Sequence, residues 1–123
     1  MTVFYLWLNA VAYLVLAAWC ALRWRSTSAA IGYVQLDGGG RSEYLSIYGG
    51  LQLALAIVFA LFALRPEQHR TGLLVALVLY ASVVPFRWIG IAAFGPVGRP
   101  TLVLGAVELA MLVWALALWF GDR

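Results

Sequence analysis

The sequence predicts an all-α integral membrane protein: an antiparallel, up-and-down four-helix bundle formed as a single domain over residues 1–123. Of its 123 residues, 65% are hydrophobic and 11% are charged, whereas soluble domains average about 25% charged residues. Four apolar stretches each approach the ~20 residues that a helix needs to cross ~30 Å of hydrocarbon. A chain this short cannot bury so much apolar surface in water, so lipid is expected to cover most of it.

The four apolar stretches are interpreted as membrane-spanning helices. Only a helix or a closed barrel satisfies its backbone in lipid, and the in/out alternation of a barrel strand is absent here. The predicted spans are about residues 3–21, 45–64, 71–94 and 101–120.

The connections between the spans differ in length. Short segments, 65–70 and 95–100, join the later spans and make them antiparallel neighbours. The connection over 23–44 is longer. Within it, Ser26 is predicted to cap a short interfacial helix, and the glycines at 38–40 are predicted to act as a hinge.

Composition excludes several classes of function. The net charge is only +3 and no basic run is present, so no nucleic-acid partner is expected. Cys20 and His69 are the only residues of their kinds, which leaves no disulfide and no His/Cys metal site. Phosphate-binding glycine loops and nucleophile-elbow motifs are absent, so no cofactor and no catalytic residue are predicted. Arginine-only basic usage with abundant Ala, Leu and Gly suggests a GC-rich bacterial genome, hence the bacterial inner membrane.

Arg87 and Glu108 are charged residues inside otherwise apolar spans. A charge near a helix centre costs about 2.5–3.5 kcal/mol on insertion scales, and such groups usually face inward towards a partner. Arg87 lies seven positions before the end of span three and Glu108 seven positions after the start of span four, which places both roughly 10 Å below the same face. The pair is therefore predicted to meet, either as a structural staple or as a ligand or ion site.

Other polar residues are expected near this pair. Tyr48 and Gln52 lie four residues apart on one side of span two, and Tyr80 shares the face of Arg87 at greater depth. Asn9 in span one is expected to hydrogen-bond a neighbouring helix. The predicted polar cluster, with its last two members at the mouth, is Arg87, Glu108, Gln52, Tyr48, Tyr80, Glu43 and Arg41.

Several short motifs resemble those of a known protein family. They are Gly40-Arg41-Ser42-Glu43-Tyr44, Tyr48-Gly49-Gly50-Leu51-Gln52, Phe86-Arg87-Trp88, the Pro96-Val97-Gly98-Arg99 turn, and Glu108. Together they resemble a family of small bacterial four-helix membrane proteins known only as a domain of unknown function, and more distantly the DoxX-like membrane proteins. The resemblance implies the fold and groups these polar residues into one recurring feature, but it implies no activity.

Four functions are compatible with the sequence. The favoured one is a binding protein or accessory subunit, with a cavity lined by Tyr48, Gln52, Arg87 and Glu108 that holds a small polar or amphipathic ligand such as a lipid headgroup or quinone. A small dimeric proton-coupled transporter is the alternative, although an Arg beside the carboxylate disfavours it. A structural partner of another membrane protein, or of a second copy, is a third. The fourth is a membrane enzyme that uses Glu43, Glu108 and Tyr48 as acids and bases. The sequence shows no nucleophile–base pair and no metal set to support it. Membrane lipid is an expected partner in every case.

Overall fold

The computed structural model describes residues 1–34 and 36–121, and it confirms the predicted all-α bundle. The α-helices are α1 (Thr2–Leu22), α2 (Trp24–Ala30), α3 (Gly38–Tyr44), α4 (Gln52–Ala63), α5 (His69–Phe94) and α6 (Arg99–Gly121). A π-helical segment, Leu45–Leu51, joins α3 to α4, and a 3-10 turn, Pro66–Gln68, precedes α5.

Four helical stretches are long and apolar enough to cross a membrane, which makes the chain an integral membrane protein. The first and fourth agree closely with the predicted spans, whereas the second begins seven residues earlier and the third five residues earlier than the sequence indicates. The stretches are Thr2–Leu22, Gly38–Ala63, Pro66–Phe94 and Arg99–Gly121.

The second span begins early because its first turn is capped. The glycines at 38–40, expected to form a hinge, instead make the first turn of α3, and the Asp37 carboxylate accepts a hydrogen bond from the Gly40 amide at 2.6 Å. This cap satisfies an amide that has no partner inside the helix and offsets the low helix propensity of glycine. The expected interfacial helix exists as α2, but Ser26 lies inside it and donates to the Arg23 carbonyl.

The core lies between two helix pairs, because α1 packs along α4 and α5 packs along α6. Tyr5 joins the pairs by donating a hydrogen bond to the Met111 carbonyl at 3.0 Å. The Tyr13 ring stacks on Phe59, with 5.9 Å between centroids. Outside this core, large apolar side chains are exposed along every span, as lipid contact requires.

Candidate functional site

The structure places Arg87 directly against Glu108. The Arg87 Nε donates to one carboxylate oxygen of Glu108, and Nη2 donates to the other at 2.8 Å. This two-point pairing matches the planar fork of guanidinium to the carboxylate and is the strongest form of ion pair. The Arg87 side chain is 26% exposed and that of Glu108 is 13% exposed, so the pair is half-buried rather than sealed.

A glycine makes room for this pair. A Cβ at Gly105 would lie 3.1 Å from Cδ of Arg87 and 3.4 Å from Cζ2 of Trp88. Gly105 precedes Glu108 by three residues, so both lie on the face of α6 that meets α5. Sequence reasoning missed Gly105, although its three-residue spacing from Glu108 was a usable signal.

Tyr80 belongs to a buried hydrogen-bond network beside the ion pair. Its hydroxyl donates to Oδ1 of Asn9 at 2.6 Å and accepts from the Tyr13 hydroxyl at 3.3 Å. Asn9, which is fully buried, also donates through Nδ2 to the Tyr5 carbonyl at 2.8 Å. Among the described residues, no hydrogen bond joins this network to the ion pair, and Tyr80 precedes Arg87 by seven residues, about two turns of α5. The predicted interhelical bond of Asn9 is confirmed, whereas the part played by Tyr13 was missed.

Tyr48 approaches the ion pair from the π-helical segment. Its ring stacks on Tyr44 with 4.6 Å between centroids and meets Tyr33 edge-on at 6.4 Å. Among the described residues, Tyr48 has no hydrogen bond to Arg87 or Glu108. π-Helical turns often occur at functional sites, and apolar periodicity gives no warning of them.

Gln52, Arg41 and Glu43 lie apart from the hydrogen-bonded cluster. In the described part of the chain, Gln52 has no hydrogen bond to Arg87 or Glu108, because α4 packs along α1 while the ion pair joins α5 to α6. Arg41 instead donates to the Leu36 carbonyl at 3.1 Å. Glu43 is exposed at the surface.

Arg87 also lines a shallow, open groove of about 470 Å³, and all of the residues that line it belong to α5. The other lining residues are Ser82, Val83 and Phe86. The Ser82 hydroxyl is already committed to the Val78 carbonyl at 2.8 Å, so Arg87 is the polar end of an otherwise apolar groove. Of the four residues expected to line a cavity, only Arg87 faces this one.

Comparison with known proteins leaves the chain without an identified relative. No protein-family model, no curated protein and no solved structure matches it. The resemblance to the four-helix family therefore stays a prediction carried by its motifs. Within residues 1–34 and 36–121, no three His, Cys, Asp or Glu side chains come together to hold a metal ion.

Proposed function

We propose that this is a binding protein of the bacterial inner membrane whose ligand is a small amphipathic molecule with a carbonyl oxygen, such as a quinone or a lipid ester. The observation that carries the proposal is the position of Arg87. Its guanidinium is fixed by Glu108, yet it remains open to an apolar groove.

Arg87 has donors left over for a ligand. A guanidinium carries five N–H groups, and Arg87 directs donors from Nε and Nη2 to Glu108. Among the residues that the structure describes, its remaining donors meet no other acceptor. A polar group without a hydrogen-bond partner is costly in an apolar environment, so an oxygen supplied from the groove would stabilise the site.

The charges of the site favour a neutral acceptor. The opposite charges of Arg87 and Glu108 cancel, so a neutral carbonyl oxygen would leave the site uncharged. An anion would leave a net negative charge in a medium of low dielectric constant, where an unpaired charge is expensive. Val83 and the 81% exposed Phe86 provide an apolar wall for the rest of the molecule.

The transporter alternative receives less support from this geometry. Both oxygens of Glu108 are bonded to Arg87, so a proton or a cationic substrate would have to compete with an arginine for this carboxylate. Flux measured in liposomes with Glu108→Gln would test it directly, because proton coupling through this carboxylate requires the flux to fall.

Substituting Phe86 by Ala tests the binding proposal without touching the ion pair. Burying a Phe side chain against a ligand contributes about 1.5–3 kcal/mol, so we expect at least about tenfold less bound ligand. The measurement is mass spectrometry of the small molecules that co-purify in mild detergent. Phe94→Ala is the control, because Phe94 is 84% exposed on the same helix and does not line the groove. Equal recovery from both variants would contradict the proposal.

A further inference from the structure

A second cavity, of about 520 Å³, lies between α2 and the start of α3. Arg25 and Arg41 both line it, together with Trp24. The guanidinium carbons of Arg25 and Arg41 lie 5.2 and 5.1 Å from the centroid of the Trp24 ring. The Trp24 indole therefore holds the guanidinium groups of Arg25 and Arg41 at the edge of the same cavity.

These two arginines have positive charge available for a ligand. In the described ranges, neither has a carboxylate within ion-pairing distance. Asp37 also lines the cavity, but its carboxylate accepts the Gly40 amide and caps α3. Arg41 Nε donates to the Leu36 carbonyl at 3.1 Å, which leaves the Nη groups of this guanidinium for a ligand. Cation–π contact restrains a guanidinium without using its in-plane N–H groups, and two such groups suit two oxygens of one phosphate.

The cavity sits at a membrane boundary and has a mixed lining. α2 directly follows the end of the first span, and α3 begins the second span. Beside the arginines, the lining includes the apolar side chains of Val34, which is 94% exposed, and Leu36. A molecule that fits this lining carries negative charge and apolar groups side by side.

We propose that this cavity binds the phosphodiester of an anionic membrane phospholipid. The cavity has a net positive charge, because Arg25 and Arg41 carry two positive charges and Asp37 carries one negative charge. The Arg87–Glu108 pair, in contrast, is neutral. Free phosphate shares the same chemistry, but it would make no use of Val34 and Leu36. The proposal is independent of the function proposed above, because it involves a different cavity and different residues.

Lipid titration followed by native mass spectrometry tests the site, with phosphatidylglycerol, phosphatidylcholine and inorganic phosphate as probes. Each Arg near a membrane surface contributes about 1 kcal/mol towards an anionic lipid, or roughly fivefold in affinity. We therefore expect the double variant Arg25→Gln/Arg41→Gln to bind phosphatidylglycerol about 25-fold more weakly.

The matched control is Arg65→Gln/Arg70→Gln. It removes the same charge near the opposite ends of the spans, where the Arg70 guanidinium lies 4.4 Å from the centroid of the Trp119 ring. We expect this variant to bind phosphatidylglycerol as the wild type does. Equal loss in both double variants would show general charge attraction and overturn the proposal.

Two further results would also overturn it. Equal binding of phosphatidylcholine by the wild type would remove the selectivity for anionic lipid. Displacement of phosphatidylglycerol by an equal concentration of inorganic phosphate would assign the cavity to free phosphate. If the Gln variants fail to fold, Arg25→Lys/Arg41→Lys keeps the charge but loses the two-point geometry, and it should bind with intermediate strength. Unchanged binding by a folded Lys variant would exclude the guanidinium site.

Discussion

At the scale of single residues, polar side chains inside this bundle are tolerated because they satisfy one another. Asn9, fully buried in α1, uses its amide nitrogen on Tyr5 of its own helix and its oxygen on Tyr80 of α5. Among the described residues, no buried side-chain nitrogen or oxygen lacks a hydrogen-bond partner. Since lipid supplies no water to replace a lost bond, each of these partners should matter for stability.

Substituting Tyr80 by Phe should lower the free energy of unfolding. The change leaves Oδ1 of Asn9 without the 2.6 Å hydrogen bond that it accepts from Tyr80. We expect a loss of about 1–2 kcal/mol, within the range measured for interhelical hydrogen bonds in membranes. Steric trapping in bicelles would measure it. Tyr33→Phe is the control, because Tyr33 is 44% exposed, and an equal effect of both substitutions would rule out the buried network as the cause.

The depth of a residue in the membrane could be predicted from the sequence, but which helices pack side by side could not. Arg87 and Glu108 lie at the same depth because each is seven residues from the span end beside one tight connection, and helical rise fixes that depth. Gln52 was expected at a similar depth, yet it belongs to a span that packs along α1. Which helices become neighbours depends on the fit of whole surfaces, and Tyr13 became visible as a site residue only through that fit.

At the scale of the helical element, glycines have different structural roles at different positions. The glycine run at 38–40 suggested a hinge, but the Asp37 cap makes it the beginning of a helix. Gly72 allows a close helix contact instead, because a Cβ there would lie 2.7 Å from Cβ of Phe62 and 3.0 Å from Cδ2 of Leu6. The sequence shows where these glycines are, but their neighbours determine what each one does.

Substituting Gly72 by Ala should therefore push α5 away from α4. The new methyl group would meet Cβ of Phe62, which cannot move without its backbone, so we expect a destabilisation of about 1–3 kcal/mol. Gly90→Ala makes the same chemical change in the same helix where a Cβ has nothing within 4 Å. That control should be neutral or stabilising by up to about 1 kcal/mol. Thermal unfolding in detergent compares the two, and a Gly72→Ala variant as stable as Gly90→Ala would contradict the packing.

At the scale of the whole molecule, four crossings place the α2 end of the bundle and the connection between α5 and α6 on one side of the membrane. The ideal Cβ of Gly98 lies 4.0 Å from the Ala30 carbonyl, which brings these two segments together. The turn Pro66–Gln68, which connects the second and third spans, then belongs on the other side. The sequence predicted this alternation, because its short connections force antiparallel neighbours.

Labelling of single-cysteine variants measures this topology even when some copies of the protein insert in the opposite orientation. In a Cys20→Ala background, Ser26→Cys and Arg99→Cys should be labelled by an impermeant maleimide in equal fractions of the protein in sealed vesicles. Glu67→Cys should be labelled in the complementary fraction, because all three side chains are exposed and the third lies across the membrane. Permeabilised vesicles give the total for each site. Basic residues lie near the ends of the spans on both sides, so the positive-inside rule sets no single orientation. For any mixture of the two orientations, the fraction labelled at Glu67→Cys and the fraction labelled at Ser26→Cys must still add up to the whole. Parallel labelling of Glu67→Cys and Ser26→Cys across several preparations would mean that the second span does not cross.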